Sequence, residues 1–304
     1  MSEQPAPGQP ATGPGSRGVI HDLGYRHLDG AREGTPAIAR TLFATGLRHA
    51  YGLGRSGKSK VMPFLLLAMS LLPATIVVGV VVLTGLGDLP VSYADYTNQT
   101  QLLVSLFAAS QAPVLFSRDL RHRSIVLYLA RPLPAQVFAL VRWLSLTVAI
   151  LLFTAIPTLV LFAGALLAGL DTSDQTSSLL KALVLQVLLA MMIAGVSGLI
   201  SSVSLRRGFA VVGSVMALIV LTGIVTVMQN IAYYEGDSES VSVGVGLLSP
   251  WSLVNGLANA WDAGVDTPVP VDGAWVPAYA IVALLVVAAC LLGLVARFRK
   301  VGSR

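Results

Sequence analysis

Charge is what this sequence has least of. Asp, Glu, Lys and Arg make up 12% of its 304 residues, against about 25% in soluble domains. Six runs, at approximately 61–87, 97–117, 143–169, 182–205, 208–234 and 273–296, hold no charged residue and no histidine. Uncharged apolar runs of about 20 residues have the length a bilayer asks for. Cysteine is nearly absent too: the single Cys290, inside the last run, excludes an intramolecular disulfide. The four histidines, His21, His27, His49 and His122, are scattered between the runs. A metal site needs several convergent donors, so none is expected. With no Asp, Glu, His, Lys or Arg inside any run, intramembrane catalysis and proton-relay transport lack the residues they use. The first 18 residues, MSEQPAPGQPATGPGSRG, contain no apolar core of the signal-peptide kind. Their Pro, Gly and polar content predicts a disordered tail over 1–34.

What is present is apolar. Hydrophobic residues reach 55% and the mean hydropathy is +0.76, which predicts an all-α polytopic membrane protein of six transmembrane helices. The second run is the weakest, diluted by Gln99, Thr100, Gln101, Ser105, Ser110 and Gln111. The net charge of +5 and pI near 9.6 would suit nucleic acid, but the distribution of charge points to a bilayer instead. Eight basic residues precede the first run, five (Arg118, Arg121, Arg123, Arg131, Arg142) separate the second from the third, and Arg206 and Arg207 separate the fourth from the fifth. Arg297, Arg299, Lys300 and Arg304 close the chain. The alternate loops hold acidic residues from Asp88 to Asp272, with Lys181 the one basic residue near them. Nineteen of 20 basic residues thus fall on one side. The positive-inside rule then predicts a multi-pass protein of the cell inner or plasma membrane with both termini in the cytoplasm.

One motif argues for a different class. GLGRSGKS, Gly52 to Ser59, satisfies the pattern G-x-x-x-x-G-K-[ST] of a phosphate-binding loop. Such a loop works when a buried strand delivers the glycines and the helix that follows points its positive end at the phosphates. Here the preceding TPAIARTLFATGLRHAY opens with Thr35-Pro36 and spaces Leu42, Phe43, Leu47 and Ala50 on one helical face. Downstream, the 27 residues from Val61 to Gly87 are uncharged. The stretch reads as a basic juxtamembrane loop, and no nucleotide site is expected in this chain.

Two segments lie outside the runs. Residues 35–60 carry the helix just described, suited to the headgroup layer or to the cytosol, and the basic loop after it. The outer segment from Glu235 to Asp272 contains SPWSLVNGLANAWDAG. Its Trp251, Leu253, Leu257 and Trp261 predict a short amphipathic element, interfacial or re-entrant in the outer leaflet. The residues AGVSGLISS, Ala194 to Ser202, hold small side chains four apart and predict a close-packing face within the subunit.

The stretch between the second and third runs, SRDLRHRSIVLYLARPLPAQVFALVRWL, is longer than a chain reversal needs. Its charged start, apolar centre and Pro132/Pro134 break predict a short helix along the membrane surface, suited to docking a cytosolic partner. Here the sequence resembles the permease subunits of ABC-2 type ABC transporters. The resemblance rests on the six runs, the basic helix before the first, RDLRHRSIVLYLARPLPAQVFALVRWL after the second and LLSPWSLVNGL before the last, and covers roughly 35–300.

The resemblance implies an exporter. Two permease subunits, identical or different, would form the pathway across the lipid bilayer, and cytosolic ABC ATPase subunits would bind ATP, so this chain carries no cofactor. It also implies a coupling helix at Arg118, Asp119, Leu120, Arg121, His122 and Arg123. For the second and fifth runs it makes Ser110, Gln111, Thr222, Thr226, Gln229 and Asn230 candidate pathway-lining residues. Helix-to-helix hydrogen bonding is the ordinary role of such amides and hydroxyls. An uncharged pathway with amide and hydroxyl spots suits hydrophobic or amphiphilic cargo. The permease domain is expected over 61–297, with a cytoplasmic tail at 298–304. Two other classes stand beside this one: a non-transporting six-helix scaffold or sensor, and a lipid-modifying enzyme, for which no catalytic set is found.

Overall fold

The computed structural model describes residues 34–117, 133–204, 206–234, 239–265, 267 and 269–302. All regular elements among them are helices. The N-terminal tail, apart from Gly34, and the coupling-helix residues Arg118 to Arg123 lie outside the described residues.

Helix α1, Thr35–Ala50, starts with proline in its first turn. A proline there gives up an N–H that would have had no helical partner. Gly52 then turns the chain at φ +70°, and a Cβ on it would lie 2.4 Å from the Ser59 carbonyl oxygen. Only glycine fits this turn. Helix α2, Lys58–Thr84, follows directly, so the GLGRSGKS stretch connects two helices and no strand leads into it.

Next come α3, Tyr93–Gln99, and α4, Gln101–Leu115. Helix α5 covers Ala135–Leu167 and α6 covers Thr172–Val203, with Asp171 accepting N–H bonds from Ser173 and Asp174 as its N-cap. Helix α7, Arg207–Tyr234, is continuous but holds a π-helical segment at Met216–Val220. Two shorter helices, α8 at Glu239–Gly246 and α9 at Pro250–Ala260, lead to α10, Trp275–Gly302.

Five helices (α2, α5, α6, α7 and α10) are long and apolar enough to cross a membrane. This is the make-up of a membrane-embedded helical protein, in which helices satisfy their own backbone groups. The second apolar run differs from the other five. It is divided at Thr100, and α4 alone has 15 residues, roughly 22 Å at 1.5 Å per residue against a hydrocarbon core of about 30 Å. From Tyr93 to Leu115 the two pieces together reach roughly 34 Å. Of the polar residues that dilute this run, Thr100, Ser105, Ser110 and Gln111 are buried, whereas Gln101 is half-buried and Gln99 is exposed. Helix α4 sits among its neighbours rather than against lipid, and this position explains its low hydropathy.

The centre is built from α4, α5 and α6. Phe107 of α4 stacks on Phe153 of α5 with ring centroids 4.6 Å apart. Tyr51, which ends α1, leans on Phe107 and donates its hydroxyl to the Ala149 carbonyl at 2.8 Å. Helix α1 is thereby packed on α5, with Leu42, Gly46 and Ala50 buried and Arg40 and Arg48 exposed. Its amphipathic stripe is spent on protein. In the AGVSGLISS stretch, Gly195 lies against Cys290 and Gly198 against Phe116, so this small-residue face packs inside the subunit. Helix α5 begins eight residues ahead of the expected span, which puts Arg142 inside it. The side chain is buried, with its guanidinium 5.4 Å from the centre of the Phe138 ring, a favourable cation–π geometry. Arg297 of α10 donates to the Ser202 carbonyl at 3.2 Å, matching positive charge to the C-terminal end of α6.

Candidate functional site: an uncharged polar cleft

Where α3 meets α7 and α9, a cavity of about 180 Å³ is lined by Asn98, Gln101, Thr222, Thr226, Gln229, Asn230, Trp251, Ser252, Asn255, Thr267 and Tyr279, among others. That is far more than the about 10–15 Å³ one water needs and less than the about 300 Å³ where drug-sized pockets begin. Its wall mixes amides and hydroxyls with the aliphatic Val269 and Val271 and the rings of Trp251 and Tyr279, and none of the described residues lining it is charged.

Each side chain reaches the cleft for a local reason. Thr222, Thr226, Gln229 and Asn230 stand at i, i+4, i+7 and i+8, one face of a helix. The π segment keeps that face in line with the rest of α7. Buried residues in the first part of the helix recur every fourth position, at Ala210, Ser214, Leu218 and Thr222. In an unbroken α-helix this spacing drifts about 40° per step. The wider turn, in which the Leu221 N–H donates to Met216 five residues back, absorbs part of that drift. Thr222 is then held twice, to the Leu218 carbonyl at 2.9 Å and to the Ser249 hydroxyl at 2.8 Å.

Helix α9 forms the opposite wall. Pro250 starts it, and Trp251 is 1% exposed, its indole N–H donating to Ser105 of α4 at 3.2 Å. Asn255 donates to the Asn98 side-chain oxygen at 2.8 Å, tying α9 to α3. Tyr279 of α10 enters between α8 and α9, and its hydroxyl donates to the Val243 carbonyl at 2.7 Å. Two glycines make that entry possible: a Cβ on Gly256 would lie 2.5 Å from the Tyr279 ring, and one on Gly246 would lie 2.2 Å from its hydroxyl.

Within the cleft, some polar capacity is already spent. Asn230 donates to the Thr226 carbonyl at 2.7 Å and Ser242 to the Gln229 backbone carbonyl at 2.8 Å. The carboxamides of Gln101 and Gln229 form no hydrogen bond with another described residue. Each can offer two donors and one acceptor to an occupant. The site can therefore hold a neutral hydrogen-bonding group.

Of the six pathway candidates, Thr222, Thr226, Gln229 and Asn230 share this cavity. Ser110 and Gln111 do not reach it. They are buried deeper in α4, where Gln111 donates to Ser110 at 2.9 Å and Ser110 to the Phe107 carbonyl at 2.9 Å. Asn98, Gln101, Asn255 and Tyr279 were not singled out from the sequence. The available signal was the amide pair Asn98 and Gln101, three apart at the start of the weakest run, and the asparagine one turn after Trp251.

The chain matches no protein-family model and no curated protein sequence. Its function is therefore argued from this geometry and from the charge distribution.

Proposed function

We propose that this chain is the transmembrane permease subunit of an ATP-driven exporter of the ABC-2 type, forming the translocation pathway and coupling to a separate ATPase. In this reading α3 and α4 together make the sixth crossing, both termini are cytoplasmic, and two permease subunits pair in the cell membrane. The observation that carries the reading is the cleft: a polar cavity with no charged group among its described lining residues, between helices that are otherwise apolar, in which the carboxamides of Gln101 and Gln229 bond no other described residue. Gln101 and Gln229 are half-buried, so their amides can exchange water for an occupant, a property that serves a pathway and does nothing for a scaffold. The cargo that fits is an amphiphile whose polar part is neutral. ATP is assigned to the partner because GLGRSGKS joins α1 to α2, without the strand a phosphate loop requires. The direction of transport and the coupling role of Arg118, Asp119, Leu120, Arg121, His122 and Arg123 follow from the family resemblance.

The test is to look for an ATPase gene adjacent to this one and to reconstitute the two products together. Arg121→Glu sets like or unpaired charge in the coupling interface, a cost of about 2–5 kcal/mol. Transport-coupled ATP hydrolysis is expected to fall at least about tenfold, while Arg299→Glu leaves it near normal. Equal losses would reduce the arginines to general lipid attraction. Failure of any ATPase to associate favours the scaffold. Specific ATP binding by the purified chain alone, lost in Lys58→Ala, overturns the assignment of the nucleotide. Orientation is checked on intact cells: an impermeant thiol reagent reaches a cysteine placed at Ser173 and does not reach one at Ser303.

A further inference from the structure

On the other face of α9 lies a second cavity with the opposite chemistry. It measures about 280 Å³ and is lined by Val184 and Leu188 of α6, Leu257 of α9 with Trp261 just past its end, and Val276 and Ala280 of α10, among others. Every lining residue is apolar. It opens to the outside of the bundle, where Val184 is 53% and Trp261 52% exposed, so in a membrane it faces lipid directly.

One charge stands at its mouth. Lys181 precedes Val184 and Leu188 by three and seven positions on α6, the same helical face. Its ammonium donates to the Asp262 backbone carbonyl at 3.0 Å, next to Trp261. An ammonium has three donors, and this one has no carboxylate within ion-pair distance among the described residues. It is the single basic residue on the acidic side of the protein. A lysine that served only to orient the chain would sit with the other 19.

We propose that this crevice is a lateral binding site for an anionic glycerophospholipid, one acyl chain lying between α6, α9 and α10 and the phosphate on Lys181. The apolar wall supplies a surface that matches a hydrocarbon chain, and its volume suits part of one chain. The lysine supplies charge complementarity for the headgroup at the interfacial level, where tryptophan is also favoured. The crevice and the polar cleft have α9 and α10 in common but no lining residue. The inference requires membrane-embedded helices and not transport, so its failure leaves the permease reading intact.

The experiment uses the full chain in phosphatidylcholine nanodiscs, titrated with phosphatidylglycerol or phosphatidylcholine brominated on the acyl chain, which quenches nearby indole. The Trp261 component is isolated by subtracting the Trp261→Phe protein. Brominated phosphatidylglycerol is expected to reach half-maximal quenching at a roughly fivefold lower mole fraction than brominated phosphatidylcholine, the scale of one lysine near anionic lipid. Lys181→Gln is expected to erase that preference and leave quenching by phosphatidylcholine unchanged. Ala280→Phe, which fills the crevice, lowers quenching by both lipids. Leu188→Phe serves the same purpose if Ala280→Phe loses its helical spectrum. Equal quenching by the two lipids in the native protein overturns the proposal, as does a preference that survives Lys181→Gln. Quenching by neither lipid overturns it as well and assigns the crevice to a second copy of the chain.

Discussion

Gln186 and Gln229 are the same side chain on consecutive helices, and the bundle uses them in opposite ways. Gln186 is 2% exposed, and its amide donates at 2.8 Å to both Thr97 and Thr158. The two hydroxyls donate in turn to carbonyls one turn back on their own helices, so one carboxamide knots α3, α5 and α6 together. Only its oxygen has no partner, and the void beside it is about 10 Å³, the scale of a single water. Gln229 is half-buried and faces a cavity of about 180 Å³ with its carboxamide unspent. The difference teaches that polarity inside an apolar bundle is not itself a sign of function. What separates the two is whether neighbouring helices have used up the donors and acceptors.

Three substitutions test that contrast. The largest effect is expected for Trp251→Ala, which removes the side chain that seats α9 against α4. Truncating a fully buried tryptophan costs about 3–5 kcal/mol, read as a drop in thermal unfolding temperature of the detergent-solubilised protein. A small shift would mean that α9 is held by its glycines and asparagine alone. Gln186→Leu comes next. It gives up two interhelical bonds worth about 0.6 kcal/mol each in membranes, so a loss near 1 kcal/mol is expected, with transport-coupled ATP hydrolysis following stability and no more. Gln229→Leu has the smallest effect on stability, within about 0.5 kcal/mol, yet it lowers transport-coupled hydrolysis. Comparable destabilisation by the two glutamine variants would erase the distinction between a sealed and an open amide.

The same contrast explains what could be read from residues alone. The long helices were legible because a bilayer forces charge out of some 20 consecutive positions at a time, and five of the six runs became single long helices. The second run was hard to read because hydropathy averages a whole segment and cannot tell an amide facing lipid from one facing protein. Ser105, Ser110 and Gln111 lower its score while sitting in the interior. Trp251 and Trp261 illustrate the same limit. Both fit one amphipathic pattern, but Trp251 is the anchor of α9 while Trp261 lies at the lipid-facing crevice. The cleft was half legible. Thr222, Thr226, Gln229 and Asn230 share one helix face and were candidates through the family resemblance, as polar residues of the fifth run. Asn98, Gln101, Asn255 and Tyr279 come from three other parts of the chain and meet only after folding. The stretch from Arg118 to Arg123, on which the coupling reading rests, lies outside the described residues.

Helix α9 is a partition one helix thick, with a hydrated chamber on one side and an oily one on the other. Two chambers that share one wall are coupled only as far as that wall moves. If an occupant of either displaces α9, the room left in the other changes, and reciprocity requires that each occupant alter the other's affinity by the same factor. The play in the wall is limited by the close seating of Gly256 against the Tyr279 ring. A cargo that binds without moving α9 would leave the lipid affinity unchanged. A cargo that tilts it would make the surrounding bilayer, through one acyl chain, a participant in every turnover.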